Sequence, residues 1–233
     1  MESIQSQENR EGLTKVRTAD GSDTLFHNGI NEHFHSSFGA VQESKHIFID
    51  AGLKFCIRNH FRINVLEVGY GTGLNALLSC LEISNSHFFI NYLGLEPFPV
   101  QTEMLSVLNY PEFLAQPAAL DIFRQISTSD WDSSLSILPN FNLTKRKARL
   151  QETILSPENY HLVFLDAFSP EVQPDMWTAE VFEQIFTSMV HKGILVTYCC
   201  KGHVKRAAKS VGFLVEKLPG PPGKREILRL MKD

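Results

Sequence analysis

The chain has 233 residues, of which 43% are hydrophobic and 21% charged, with a formal net charge of −4. This is the composition of an ordinary soluble globular protein with one large domain. It contains no run of roughly 18 apolar residues, and its polar start lacks the order of a secretory signal. We therefore expect a soluble, cytoplasmic protein.

The N-terminal part predicts a flexible tail over residues 1–17 and a small extension over residues 18–62. The extension has a strand candidate near Thr24 and a helix candidate in QESKHIFIDAGLKFCI. His33 and His35 lack a third ligand, and the four cysteines lack C-x-x-C spacing. We therefore expect no metal, and reduced thiols.

Residues 63–233 alternate between apolar runs of strand length and helix-like stretches, which predicts a mainly parallel sheet covered on both faces. Thr178 is a candidate N-cap of a helix over 178–191, and Gly193 a candidate stop. Two final strand-like runs joined by GPPGK should be antiparallel. The predicted strands are 64–70, 88–96, 162–168 and 194–199.

A glycine-rich turn follows the first of these strands. Gly69, Gly71 and Gly73 form G-x-G-x-G, where missing side chains let a nucleotide approach the backbone and the next helix N-terminus. We count Tyr70, Thr72 and Asn75 in the same cofactor site. Gly71, Gly73 and Ala76 also fit a dinucleotide fingerprint, so the turn alone does not identify the cofactor.

Two carboxylates indicate a nucleoside cofactor, and one of them, Glu67, favours S-adenosylmethionine. Glu67, two positions before Gly69, would hold a cation directly or through water, whereas it disfavours an anionic pyrophosphate. Glu96 ends the second strand, where it would accept hydrogen bonds from both ribose hydroxyls, as in NAD enzymes too.

The stretch FLDAFSPEVQPDMW predicts an acceptor pocket. Asp166 ends a buried strand, and Ser169, Pro170, Asp175 and Trp177 follow on a proline-stiffened loop. An amine acceptor must be neutral to attack a methyl group, so Asp166 is the candidate that orients it and receives its proton, with Asp175 a weaker one. The alternatives are a loop-anchoring role for Asp166 and a core role for Trp177.

The C-terminal residues 192–233 carry ten Lys/Arg against three Asp/Glu, and a second basic cluster, KRKAR, begins at Lys145. Such clusters mark either a polyanionic partner or merely solvated strand edges. Lys201 falls at the rim of the sheet and is a candidate phosphate contact, or an ordinary exposed lysine.

The motifs EVGYGTGLN, LEPFP, LDAFSP with PDMW, TYCCKG and LPGPPGKREIL occur in an order that resembles the methyltransferase domain of the bifunctional enzymes that make tRNA 5-methylaminomethyl-2-thiouridine. The resemblance implies a Rossmann-like class I methyltransferase with a seven-stranded sheet and an antiparallel final strand. It implies methylation of the aminomethyl nitrogen of the tRNA wobble uridine, with Asp166 facing the amine.

Two departures accompany the resemblance. The family's Gly-Asp after the third strand is replaced by Gln151 and Glu152, of which Glu152 is our candidate cofactor contact. The FAD-dependent oxidase domain is missing, so the chain resembles stand-alone members that depend on other enzymes to make the aminomethyl group. With tRNA as partner, the basic end becomes the predicted backbone contact, through Lys201, Lys205, Arg206, Lys224 and Arg225.

Three other functions stay open at this stage. A methyltransferase of the same fold acting on a small amine, like a polyamine synthase, would have an enclosed acidic acceptor pocket. A non-catalytic cofactor-binding or RNA-binding module would bind tRNA without transferring a methyl group. A dehydrogenase would be stabilised by NADH rather than by S-adenosylhomocysteine.

Overall fold

A computed structural model describes residues 12–233. The extension forms a small antiparallel sheet with the order β1-β2-β3, namely β1 (Leu13–Arg17), β2 (Asp23–His27) and β3 (Glu32–His33). The predicted tail is too long, because β1 pairs along its whole length with β2 and its Leu13 is buried. The rest of the predicted tail, residues 1–11, lies outside the described part of the chain.

The expected helix of the extension is present. It begins as α1 (Ala40–Ser44), continues through a π-helical stretch (Lys45–Leu53) and ends with α2 (Lys54–Cys56). Its apolar residues pack into the same core as β4 and β5.

The chain from Arg62 onward alternates strands and helices, as the sequence predicts. Its helices are α3 (Leu74–Ile83), α4 (Thr102–Ser106), α5 (Tyr110–Leu114), α6 (Ala119–Thr128), α7 (Ala179–Ser188) and α8 (Gly202–Ser210). Its strands are β4 (Arg62–Val68), β5 (Phe89–Leu95), β6 (Ser134–Leu138), β7 (Phe141–Arg146), β8 (Tyr160–Leu165), β9 (Met189–Thr197), β10 (Phe213–Pro219) and β11 (Glu226–Lys232). Within residues 12–233, no helix is both long and apolar enough to cross a bilayer.

The central sheet has the order β10-β11-β9-β8-β4-β5-β7-β6. Strands β7, β5, β4, β8 and β9 are parallel, and the final strand β11 is antiparallel to β9 and β10, which confirms the predicted fold class. The sheet has eight strands in the described part of the chain, so the expected seven is wrong. The extra strand, β6, is an exposed edge strand containing two serines, and its sequence carries little strand signal.

Helix α7 begins where the sequence predicts, since Thr178 accepts a hydrogen bond from the backbone N–H of Val181. It ends earlier than predicted, at Ser188. Met189 pairs with Tyr160 of β8, and Gly193 lies inside β9 instead of stopping the helix. The helical spacing of apolar residues continues through Val190, but residues 189 and 190 belong to β9 because this strand pairs with β8.

Candidate active site

The glycine turn lies where β4 is flanked by β5 on one side and β8 on the other, which is the ligand-binding edge of an open parallel sheet. The backbone N–H groups of Gly69 and Tyr70 both donate to the Leu95 carbonyl at the end of β5. Gly69 has φ +89°, and a Cβ there would lie 2.4 Å from the Asp166 carbonyl oxygen. Only glycine therefore lets the turn pass between the ends of β5 and β8.

A cavity of about 960 Å³ opens above this turn, which is within the size range of cofactor sites. Its walls come from the glycine turn, the residues after β5 and β8, the turn at residues 147–151, and residues 30–38 of the extension. The extension therefore forms one wall of the cavity, which the sequence did not indicate.

Glu96 is placed as predicted, at the end of β5 beside the turn. Its two carboxylate oxygens accept hydrogen bonds from the backbone N–H groups of Gly71, at 3.0 Å, and Phe98, at 3.0 Å. Each oxygen keeps a second lone pair, so the carboxylate can still accept from two ribose hydroxyls. Burial raises the pKa of Glu96, and the bonds from Phe98 and Gly71 oppose that rise.

Glu67 does not line the cavity itself, so its contact with a cofactor, directly or through water, stays a prediction. Its side chain is fully buried, with Oε1 accepting from Asn75 at 2.8 Å and Oε2 from Tyr92 at 2.8 Å. It points inward because β4 is a central strand whose residues alternate between the two covered faces of the sheet. Burial raises the pKa of Glu67 well above its usual value, which weakens the case for a fixed negative charge there.

Asn75 connects Glu67 to the cavity. Its Nδ2 also donates to Asp166 Oδ2 at 2.9 Å, so one buried amide is held between two carboxyl groups. Its Oδ1 is buried and accepts no hydrogen bond from residues 12–233. Asn75 lines the cavity, and its free acceptor can take a donor from a bound ammonium group.

Asp166 lines the cavity at the end of β8, as predicted. Burial raises its pKa to about 8, and the charge of Glu43 adds to the rise, while the bond from Asn75 and the charge of Lys224 oppose it. A carboxyl group with this pKa exchanges a proton near neutral pH, which suits a general base.

Tyr70 and Thr72 line the cavity with the turn. The Tyr70 ring lies against Gly94 of β5, where a Cβ would come within 2.2 Å of it. The Thr72 hydroxyl is 3.1 Å from the Tyr110 hydroxyl, with either group able to donate. Both side chains therefore anchor the turn to the elements behind it.

The loop after β8 is built differently from the prediction. The Ser169 hydroxyl and N–H donate to Glu32 of β3, and Ser169 and the buried Pro170 both lie off the cavity wall. Trp177 is 3% exposed, and its indole N–H donates to the Phe168 carbonyl. It is therefore a core residue, and its ring is not available for stacking on a base. Asp175 lies outside the cavity, 4.0 Å from Arg149, a position that does not favour its predicted catalytic role.

Glu152 is exposed in the short turn Leu150–Glu152 and does not line the cavity, so it is not the predicted cofactor contact. Gln151 does line the cavity, next to Leu150. Lys201 is exposed and paired with Glu171, outside the cavity. Arg225 is exposed as expected, whereas Lys224 lies in the cavity instead of on the outer surface.

Sequence reasoning missed two cavity residues, Glu43 and Tyr198, and left open whether His35 is structural. Glu43 of α1 accepts from the Ser36 N–H at 2.7 Å and is 3.1 Å from Lys224. Tyr198, just after β9, donates to the Ala167 carbonyl. His35 hydrogen-bonds with Thr24, and burial lowers its pKa to about 4, so it is neutral and structural. Their proximity arises only from tertiary packing.

Comparison with known proteins agrees with this geometry. Residues 139–233 match a family described as S-adenosyl-L-methionine-dependent methyltransferase. Over these residues the chain is similar to the S-adenosyl-L-methionine-dependent methyltransferases, and its sheet order and glycine turn agree with that similarity.

Two curated proteins with similar sequences share a more specific description. The chain is similar to the tRNA 5-methylaminomethyl-2-thiouridine biosynthesis bifunctional protein MnmC of Campylobacter hominis, with 29% identity over 88% of this chain and 31% of that protein. MnmC of Magnetococcus marinus is 26% identical over 96% of this chain and 35% of that protein. The chain thus spans about a third of the length of these relatives.

Solved structures show the same fold. MnmC2 from Aquifex aeolicus superposes with a TM-score of 0.75 and 22% identity, covering 97% of this chain and 71% of that one. Spermidine synthase from Thermotoga maritima superposes with a TM-score of 0.59 and 13% identity, covering 99% of this chain and 72% of that one.

Proposed function

We propose that this methyltransferase transfers the methyl group of S-adenosyl-L-methionine to the aminomethyl nitrogen of the wobble uridine in tRNA. The observation that carries the proposal is Asp166, a carboxyl group on the cavity wall whose pKa lies at about 8 and whose position is fixed by Asn75. Similarity to MnmC proteins along nearly the whole chain supports tRNA as the substrate.

The cofactor supplies an electrophilic methyl group on a sulfonium. The residues suited to hold it are the glycine turn, with its close backbone approach, Glu96 for the ribose hydroxyls, and Asn75 through its unpaired Oδ1. Glu67 acts through Asn75, whose amide it holds in place. Gln151 also lines the cavity.

Asp166 has two tasks in the transfer. Its carboxylate first takes a proton from the acceptor ammonium and passes it to solvent, and then accepts a hydrogen bond from the neutral amine, so that the nitrogen lone pair faces the methyl group. As the new N–C bond forms and the S–C bond breaks, the amine carries an extra proton, which Asp166 accepts. Its pKa of about 8 lies close to physiological pH, so the proton is released to solvent without a large barrier.

The test is transfer of a labelled methyl group to tRNA purified from cells that lack the final methylation step. We expect label in 5-methylaminomethyluridine or its 2-thio form, identified by mass spectrometry of the digested tRNA. Transfer of the label to polyamines or other free amines, with none in the tRNA, would contradict the proposal. Binding of tRNA without any transfer would point to a non-catalytic module.

A further inference from the structure

A lysine side chain occupies a place in the cavity that is built to hold an ammonium group. Lys224 lies on the loop between β10 and β11, and its Nζ is 4.8 Å from the centre of the Tyr198 ring, over its face. It is 3.1 Å from Glu43 Oε1. An aromatic face together with a carboxylate is the usual recognition site for an ammonium ion.

The Lys224–Glu43 ion pair leaves one carboxylate oxygen of Glu43 without a hydrogen bond from the described residues. Glu43 Oε1 is buried and makes no aligned hydrogen bond with any of residues 12–233, although Lys224 lies within ion-pair distance of it. The Glu43 side chain is 10% exposed, and that of Lys224 is 28% exposed. Glu43 is therefore held in place while the lysine retains access to solvent.

The same place is adjacent to the proposed base. Glu43, Lys224 and Asp166 line the same cavity, and the Tyr198 hydroxyl donates to the carbonyl of Ala167, the residue after Asp166. The charges of Glu43 and Lys224 both act on Asp166. The loop carrying Lys224 contains Gly223 with φ +84°, over which the Phe38 ring lies. A lysine side chain has four rotatable bonds and can leave this place without moving the loop backbone.

We infer that Glu43, Tyr198 and Asp166 form the subsite for the primary ammonium of the acceptor, and that Lys224 occupies this subsite until the acceptor displaces it. The inference deepens the proposed function and rests on it, since it takes the acceptor to be a primary amine. It also gives the extension a role, because Glu43 reaches the cavity only through α1.

The subsite explains how the acceptor amine is recognised before it loses its proton. An alkyl ammonium is the predominant form at neutral pH, and it enters beside Glu43, in the place that the lysine ammonium occupies now. Asp166 is then next to the cation whose proton must be removed. A neutral hydroxymethyl group of the same size gains nothing from this arrangement.

The experiment measures binding of two nucleosides, 5-(aminomethyl)uridine and 5-(hydroxymethyl)uridine, to the S-adenosylhomocysteine-saturated protein by calorimetry. Nucleosides lack phosphates, so a phosphate-binding role of Lys224 predicts no change in either affinity. Lys224→Ala empties the subsite, and we expect it to tighten binding of the aminomethyl nucleoside by about threefold or more without affecting the hydroxymethyl one.

Adding Glu43→Gln to Lys224→Ala should weaken binding of the aminomethyl nucleoside by about tenfold, because a charge-assisted contact is lost. The amide oxygen introduced by this substitution can still accept from the Ser36 N–H, and unchanged S-adenosylhomocysteine affinity checks the fold. If this variant does not fold, Tyr198→Leu replaces it, with the same expected loss. Lys217→Ala, which breaks the Lys217–Glu226 ion pair outside the cavity, is the matched control and should change neither affinity.

The inference is overturned if Lys224→Ala weakens binding of the aminomethyl nucleoside, leaves it unchanged, or tightens both nucleosides equally. These results are independent of the tRNA assay. Wild-type protein that methylates tRNA while Lys224→Ala leaves aminomethyl binding unchanged would retain the proposed function and exclude the subsite. Selective tightening without tRNA methylation would exclude tRNA as the substrate and retain an amine subsite.

Discussion

Asp166 is the residue on which the chemistry depends. Replacing Asp166 by Ala should lower the rate of methyl transfer by about 10²–10⁴-fold, since the proton acceptor is lost. Cofactor affinity should stay within about twofold, because the turn and Glu96 are untouched. Single-turnover assays and calorimetry measure the two effects separately. A variant with the wild-type rate would remove Asp166 from the mechanism.

The raised pKa of Asp166 also predicts how stability depends on pH. Its folded-state value of about 8 lies above the value near 3.9 of an unfolded aspartate. The protonated form is therefore favoured by the fold, and this stabilisation is full below the unfolded pKa and is lost as the pH rises towards 8.

Asp166→Asn mimics the protonated form and keeps an acceptor for Asn75. The wild type should lose about 3 kcal/mol of stability between pH 5.5 and pH 8.5, so the melting temperature of the variant relative to wild type should be higher at pH 8.5 than at pH 5.5 by roughly 6–13 °C. Differential scanning calorimetry at both pH values checks this. Equal differences at the two pH values would mean that Asp166 ionises normally in the folded protein.

The glycine turn is the element that positions the site, and Gly69 is its most constrained position. Gly69→Ala combines a left-handed backbone with a Cβ 2.4 Å from the Asp166 carbonyl oxygen. We expect a loss of about 3 kcal/mol or more in unfolding free energy, together with weaker cofactor binding.

Gly202→Ala is the matched control for Gly69→Ala. Gly202 is the first residue of α8, and a Cβ there would contact only the end of the Arg206 side chain, at 3.2 Å. Its effect should stay within about 0.5 kcal/mol. Urea titrations measure both variants, and similar losses would show that the close approach at Gly69 relaxes easily.

The sequence predicts the elements and the sheet edge well, because a strand, a glycine turn and a helix are adjacent in the chain. The turn, Glu96 and Asp166 were predictable on this ground, whereas side-chain direction was not. Glu67 is one strand residue away from the turn yet points into the core, and Trp177 on a polar loop is buried. Glu43 could not be predicted, since 123 positions separate it from Asp166 and only packing of α1 brings them together.

The exposed lysines and arginines near the C-terminal end determine where the protein would bind a polyanion. Lys201 is neutralised by Glu171, and Lys224 lies in the cavity beside Glu43. The phosphate contacts are therefore expected from Lys205 and Arg206 on α8, which begins at the rim of the sheet. Each phosphate contact contributes about one unit to the slope of log affinity against log salt concentration.

Lys205→Ala combined with Arg206→Ala should weaken tRNA binding and reduce the salt slope by about 1 to 2. Arg58→Ala with Arg62→Ala removes two charges at the opposite end of β4, where the strand begins, and should leave the slope unchanged. Filter binding between low and moderate salt measures both. Equal salt slopes for the two double variants would mean that the tRNA backbone contacts another face of the protein. If the contact surface lies at the rim of the sheet, only the loss of charges on α8 should reduce the slope.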